Sequence, residues 1–180
     1  MPSLVRLRVP LGFAAAVVYL WLARPTLPSI LLGAPFVLAG EALRVWASGY
    51  LTKNRALTTA GPYRHTRHPL YLGSALLVVG FALGSGSLAL GAGLVAVFAL
   101  VYAAVARREE EHLNRRFGPE YAAWCAAVPA LVPRLRAWEG GDDAAFSWAA
   151  VRRHRELRAV TGAALLLAFL AVRVLYTEAP

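Results

Sequence analysis

The chain has 180 residues, of which 58% are hydrophobic and 16% are charged, and its formal net charge is +9. Soluble domains carry about a quarter charged residues, and disordered chains are poor in hydrophobic residues, so these values exclude both an ordinary soluble domain and a disordered chain. The single cysteine, Cys125, excludes an internal disulfide and a multi-cysteine metal site, and we expect no metal site.

Five apolar stretches predict an all-α integral membrane protein with about five transmembrane helices. They cover residues 9–23, 29–52, 69 to about 83, 88–106 and 159–176. A bilayer span needs about 20 apolar residues, so the first, third and fifth stretches are short. The Gly-Ser-Gly-Ser turn at 84–87 predicts that the third and fourth spans form a helical hairpin. Four glycines, Gly80, Gly84, Gly91 and Gly93, indicate close helix packing in that hairpin.

The distribution of arginine predicts the orientation of these spans. Ten arginines lie between the fourth and fifth spans, whereas Arg24 is almost alone on the opposite side. The positive-inside rule therefore predicts a cytoplasmic N-terminus. The basic excess is a topology signal rather than a nucleic-acid footprint, and residues 152–158 suit anionic lipid headgroups. The arginine- and alanine-rich composition favours a bacterial source, and hence the inner membrane.

The first candidate for chemistry is the segment 61–73. Gly61 and Pro62 form a turn signal, and Pro69 suits the first turn of the third span. His68 then lies at the helix entrance, and Tyr71 faces the same side three residues later. The free N–H groups at a helix start attract a carboxylate or phosphate. The alternative interpretation is a basic interfacial loop with an aromatic belt.

The second candidate is the run Glu109, Glu110 and Glu111 after the fourth span. Apolar residues at helical spacing predict that a helix continues through residues 107–124, although Pro119 interrupts it. The alternative is a solvated charge run partnered by the neighbouring arginines.

The third candidate is Glu41 with Arg44 inside the second span. A charge at the centre of a membrane helix is costly, and residues three apart on a helix can pair, so we expect an ion pair between them. The pair is either structural or part of the wall of a substrate cavity.

Together these segments resemble the integral-membrane methyltransferases, which include isoprenylcysteine carboxyl methyltransferases and phospholipid N-methyltransferases. The resemblance rests on Gly-Pro-Tyr followed by Arg-His-Pro-x-Tyr-x-Gly in 61–73. It also rests on Glu-Glu-x-x-Leu-x-x-x-Phe-Gly-x-x-Tyr in 109–121. It covers about residues 40–134. We therefore expect a core domain over 1–136, followed by a linker, a basic segment and an additional transmembrane helix over 137–180.

The resemblance implies S-adenosylmethionine as the cofactor, bound on the cytoplasmic side. The residues that it assigns to cofactor binding are Arg55, Ala56, Leu57, Thr58, Tyr63, His68, Pro69, Leu70, Tyr71 and Glu109.

The resemblance also implies a lipophilic methyl acceptor that enters from the bilayer. An isoprenylcysteine-like carboxylate is the first choice, held by Arg44 or Arg108, because the family's basic substrate position is Val105 here. A phospholipid amine or a small thiol is the alternative, and for an amine Glu41 or Glu110 would act as the base. The rival to an enzyme is a membrane assembly factor or a small transporter.

Overall fold

The computed structural model describes residues 3–51 and 56–178, and within these ranges the chain is helical without a β-strand. The described residues contain a 3-10 helix at Gly61–Arg64 and seven α-helices. The α-helices are α1 (Ser3–Leu22), α2 (Leu27–Ser48), α3 (Pro69–Gly84), α4 (Leu88–Phe117), α5 (Pro119–Ala127), α6 (Trp148–Arg153) and α7 (Glu156–Glu178). The predicted all-α class is confirmed.

Three helices of this part of the chain are long and apolar enough to cross a membrane. They are Leu27–Ser48, Leu88–Phe117 and Glu156–Tyr176. Helix α3 is apolar but has only 16 residues, fewer than the roughly 20 of a typical span. Helix α1 covers most of the first predicted span. A count of five spans therefore stays a prediction.

The second predicted span extends too far at its C-terminal end. Helix α2 ends at Ser48, whereas the apolar stretch continues to residue 52. The N–H groups of Tyr50 and Leu51 donate to carbonyls three residues back, at 3.2 and 3.3 Å. Such i→i+3 bonds tighten and close the last turn of a helix, so the chain leaves the helix here despite its hydrophobicity.

The predicted hairpin between the third and fourth spans is confirmed. Helix α3 ends at Gly84, α4 begins at Leu88, and Gly86 has a positive φ of 65° that favours glycine. The Ser85 hydroxyl donates to the Ala82 carbonyl and accepts from the Ser87 N–H, at 2.7 and 3.1 Å. The turn therefore satisfies polar groups between the two helices.

The chain divides into two compact units, each described separately. The first unit comprises Met1–Leu38, Ala75–Arg107 and Gly162–Pro180. In it, a Cβ added to Gly80 would lie 2.6 Å from Val37, so close packing at this glycine is confirmed. Gly91 is similarly close to Ala82, and the Gly84 backbone nitrogen would lie 3.0 Å from a Cβ added to Gly33, whereas Gly93 has nothing within 4 Å. The packing prediction is therefore confirmed for Gly80, Gly84 and Gly91 and wrong for Gly93.

The second unit comprises Ala39–Ser74 and Arg108–Thr161, and all three candidate clusters of the sequence belong to it. Its core joins α2, the 3-10 helix and α5 through Ala47, Leu57, Tyr63, Tyr121, Trp124 and Val128. The predicted helical continuation is confirmed, with a break at Gly118, whose φ is 49°. The Trp124 indole donates to the Tyr63 carbonyl at 3.2 Å, so α5 is fixed against the 3-10 helix.

Candidate active site

The loop before α3 is anchored by the segment that follows α5. The N–H groups of Arg67 and His68 donate to the carbonyls of Pro129 and Ala130, at 2.9 and 3.1 Å. The Thr66 hydroxyl also donates to Ala130, at 2.9 Å. These bonds hold His68 at the entrance of α3, as the sequence predicted, and its side chain is buried.

Glu110 forms an ion-pair cluster with two side chains of this loop. Its Oε1 lies 3.0 Å from Nη2 of Arg67 and 3.2 Å from Nε2 of His68. Residues 68 and 110 are far apart in sequence, so the continuation of α4 beyond the apolar stretch is what brings them together. The interpretation of the glutamates as only a solvated charge run is therefore wrong for Glu110.

Glu109 is hydrogen-bonded by Tyr71, an aromatic residue in the first turn of α3. The Tyr71 hydroxyl donates to Glu109 Oε2 at 2.9 Å, and the Tyr71 and His68 rings lie 5.5 Å apart. Burial, and secondarily the charge of Glu109, raises the pKa of the Tyr63 phenol well above its usual range. Tyr63 is thus a neutral phenol at physiological pH.

A cavity of about 250 Å³ opens at this helix entrance. Its wall consists of Arg44, Leu51, Tyr63, Arg67, His68, Pro69, Leu70, Tyr71, Ser74 and Glu109. A second cavity of about 220 Å³ shares Leu51, Tyr63, Arg67 and Glu109 with the first. Its other walls are Ala56, Leu57, Thr58, His112, Leu113, Arg116, Phe117 and Trp124. The two adjoining cavities together reach the volume range of small-molecule sites, roughly 300–1,000 Å³.

The predicted cofactor residues are distributed between these two cavities. The first cavity contains His68, Pro69, Leu70 and Tyr71, and the second contains Ala56, Leu57 and Thr58. Tyr63 and Glu109 line both. Arg55 lies outside the described residues.

The expected pair between Glu41 and Arg44 is wrong. Arg44 Nη2 donates to Glu156 Oε2 at 2.7 Å, and Arg44 Nη1 donates to the Ser74 hydroxyl. Both carboxylate oxygens of Glu41 are buried without a hydrogen-bond partner among the described residues. The guanidinium extends toward α3 and α7, so the acid from α7 replaces the nearer acid of its own helix.

The remaining predicted residues differ in their relation to the cavities. Arg44 lines the first cavity, whereas Glu41, Arg108 and Glu110 line neither. Glu110 nevertheless forms ion pairs with Arg67 and His68, which line the first cavity, whereas Arg108 is exposed. The acceptor and base roles that the resemblance gave these residues stay predictions.

Sequence reasoning missed three polar residues of the site. Arg67 is part of the Arg-His-Pro motif directly before His68, but the resemblance assigned it no role. Ser74 follows the last residue of the motif and contacts Arg44. Glu156 is the one acidic residue within the basic run 152–158, which was an available signal for a partner of a buried cation. Within 3–51 and 56–178, no three His, Cys, Asp or Glu side chains converge as metal ligands.

The arrangement suits a small polar ligand with mixed charge. Carboxylate and phenol groups offer hydrogen-bond acceptors and donors, and the rings of Tyr63, Tyr71, Phe117 and Trp124 line the cavities. The start of α3 contributes N–H groups that have no intrahelical partner. Cationic, anionic and aromatic parts of one ligand therefore each find a complementary surface.

Comparison with known proteins gives a family match and two curated relatives. The phospholipid methyltransferase family profile matches residues 30–120. The cobalt-zinc-cadmium resistance protein CzcN of Cupriavidus metallidurans is 41% identical over 99 residues, which are 54% of this chain and 45% of that protein. The nickel-cobalt-cadmium resistance protein NccN of Alcaligenes xylosoxydans xylosoxydans is 37% identical over 117 residues, which are 64% of this chain and 53% of that protein. The chain thus spans about half the length of these relatives, and no solved structure matches it.

Proposed function

The chain belongs to the phospholipid methyltransferase family, and we propose that it is a membrane enzyme that methylates a lipophilic acceptor with S-adenosylmethionine. One observation carries the proposal: two adjoining cavities collect nine of the ten residues that the sequence resemblance assigned to the cofactor. These residues come from four separate stretches of the chain (56–58, 63, 68–71 and 109), so a chance grouping in these two cavity walls is a poor explanation.

The residues present fit the cofactor in charge and chemistry. Glu109 offers a carboxylate to an ammonium or a ribose hydroxyl, and the start of α3 at Pro69 suits a carboxylate. The faces of Tyr63 and Tyr71 suit a sulfonium by cation–π attraction. When bound, S-adenosylmethionine supplies an electrophilic methyl group on sulfur.

The protein's own contribution is positioning and the exclusion of water. His68 and Arg67 are fixed through backbone hydrogen bonds and through Glu110, so the polar wall is organised before a ligand arrives. Preorganised donors and a dry cavity lower the barrier without a covalent step on the enzyme.

For the acceptor we propose a lipophilic carboxylate of the isoprenylcysteine type. Arg44 supports this choice, because it is a cation on the cavity wall and lies on a candidate membrane-spanning helix. A phospholipid amine and a small thiol are the competing acceptors. The two relatives are named for metal resistance, and those names specify no methyl acceptor.

We further propose that the site opens to the cytoplasm of a bacterial inner membrane. The support is the arginine distribution, with ten arginines between the fourth and fifth apolar stretches. Reporter fusions after each apolar stretch measure this orientation directly. A periplasmic signal from the segment 107–158 would contradict it.

The test of the proposal is cofactor binding to purified protein, measured by calorimetry. Wild type should bind S-adenosylmethionine, His68→Ala should abolish binding, and Glu109→Gln should weaken it about tenfold. Glu111→Gln is the matched control, since this neighbouring acid is exposed and lines neither cavity, and it should bind within twofold of wild type. No binding to wild type at millimolar cofactor would refute the proposal.

The acceptor is tested separately with labelled cofactor. The panel contains an S-prenylated N-acetylcysteine, a phosphatidylethanolamine and a small alkyl thiol. Base-labile methyl transfer to the prenylated cysteine is the expected result, because a carboxyl methyl ester hydrolyses in base. Transfer to only the amine or the thiol would contradict the carboxylate proposal and leave the methyltransferase proposal intact.

A further inference from the structure

The Arg44 guanidinium is held by an acid from the far C-terminal part of the chain. Glu156 lies 112 residues beyond Arg44, at the first position of α7, and the two side chains are 2.7 Å apart. The family match ends at residue 120, so Glu156 is outside it. The contact therefore links the site to a segment that is not part of the matched family region.

The guanidinium is fixed on two of its nitrogens. Nη2 donates to Glu156, and Nη1 donates to the Ser74 hydroxyl, which itself donates to the Leu70 carbonyl on the cavity wall. The Arg44 and Glu156 side chains are only 20% and 10% exposed. Charge-assisted hydrogen bonds are stronger and more directional in such surroundings than at an open surface. Arg44 is thus restrained in one orientation against the cavity.

A second acid is available to Arg44 but is not used. Glu41 is one turn earlier on α2, is 8% exposed, and has both carboxylate oxygens buried without a partner. Glu41 does not line the cavity. An Arg44 side chain released from Glu156 would therefore have an alternative partner that draws it away from the cavity wall.

Glu156 is brought to this place by a segment that is itself anchored. The Ser147 N–H donates to the Gly49 carbonyl at 2.9 Å, and the Asp142 N–H donates to the Thr59 hydroxyl at 2.9 Å. The His154 ring contacts the Leu51 carbonyl at 3.2 Å. Leu51 is part of both cavity walls. The segment 142–156 therefore contacts the chain after α2 at several points, and its last residue, Glu156, contacts Arg44.

We propose that Glu156 is a positioning residue of the active site, which holds the Arg44 guanidinium at the cavity wall where it binds the anionic group of the acceptor. This inference rests on the proposed function. It gives the C-terminal segment a role in the reaction, beyond that of an anchor. The hydrogen bond to Arg44 does the positioning, so an uncharged acceptor at residue 156 retains most of the effect.

The experiment compares Glu156→Ala with Glu156→Gln, whose amide oxygen still accepts from Arg44. The probe is an S-prenylated N-acetylcysteine, with kcat and KM from labelled-methyl transfer and probe binding to cofactor-free protein by calorimetry. Glu156→Ala should lower kcat/KM for the probe at least tenfold and weaken its binding. Glu156→Gln should stay within about threefold of wild type. S-adenosylmethionine affinity should stay within twofold of wild type in both variants. The control is Glu139→Ala, which removes an exposed acid that precedes this segment.

The charge-swapped double variant Arg44→Glu, Glu156→Arg covers the case in which Glu156→Ala does not fold. It restores an ion pair and should fold and bind cofactor, yet it should not turn over the probe, because the cation no longer comes from α2. Full probe turnover in this variant, or wild-type turnover in Glu156→Ala, would show that the pair is only structural and would overturn the inference. Wild type that binds the cofactor but neither binds nor methylates the probe would overturn it as well. Wild type that binds no cofactor would instead refute the proposed function.

Discussion

Gly73→Ala tests how closely α2 and α3 pack behind the cavity. A Cβ at residue 73 would lie 2.6 Å from Cγ of Arg44 and 2.8 Å from the Gly40 carbonyl oxygen. The carbonyl belongs to the α2 backbone and cannot rotate away, and Cγ is near the root of its side chain. The methyl group therefore has to separate the two helices locally or displace Arg44.

The magnitude follows from two opposing effects. Overpacking of a tight contact costs about 1–3 kcal/mol, whereas replacing glycine by alanine in a helix gains about 1 kcal/mol. Gly73→Ala should therefore be about 0–2 kcal/mol less stable than wild type. Gly93→Ala is the matched control, because it makes the same propensity gain with nothing within 4 Å of the new Cβ. Against this control the expected cost is about 1–3 kcal/mol.

The assay is the apparent melting temperature of both variants in the same detergent, followed by methyl transfer. A cost of 1 kcal/mol lowers the melting temperature by roughly 2–4 °C in a chain of this size, so Gly73→Ala should melt about 2–12 °C below Gly93→Ala. Its turnover should fall at least fivefold, because Arg44 and the adjacent Ser74 shift together. Equal melting temperatures and equal turnover in the two variants would refute the close contact on which this reasoning depends.

Three further predictions concern single side chains of the site. Tyr71→Phe should weaken cofactor binding about threefold to tenfold by calorimetry, since it removes a partly solvated hydrogen bond to the Glu109 carboxylate; unchanged affinity would contradict that role. Burial raises the pKa of Tyr63, so the unfolded chain loses the phenol proton at a lower pH than the folded chain. The free energy of unfolding should therefore fall as pH rises above about 10, and alkaline denaturation of Tyr63→Phe should show a smaller fall. Arg44→Ala should lower acceptor turnover at least tenfold and Arg108→Ala less than twofold, because only the former lines the cavity; the opposite order would assign the acceptor to Arg108.

Local signals in the sequence predicted most of the helices and much of the site. Long apolar runs and the Gly-Ser turn gave the helical class and the hairpin between α3 and α4, because hydrophobicity and turn chemistry act over a few residues. The motif residues His68, Tyr71 and Glu109 were identified from short local motifs and the family resemblance that these motifs carry, and they line the first cavity. The end of α2 at Ser48 was not found, since the apolar stretch continues past the closing turn.

Contacts between distant segments were decided only by the tertiary structure. Arg44 has an acid one turn away at Glu41, and sequence spacing favoured that pair, but the structure pairs it with Glu156. Likewise, Glu110 became part of the site through Arg67 and His68, which α4 reaches by extending beyond its apolar part. The sequence alone therefore determined which groups are available for chemistry. The packing of the helices decided which of these groups meet. A buried charge pairs with whichever partner the packed helices bring within hydrogen-bond distance, and this partner need not be close in sequence.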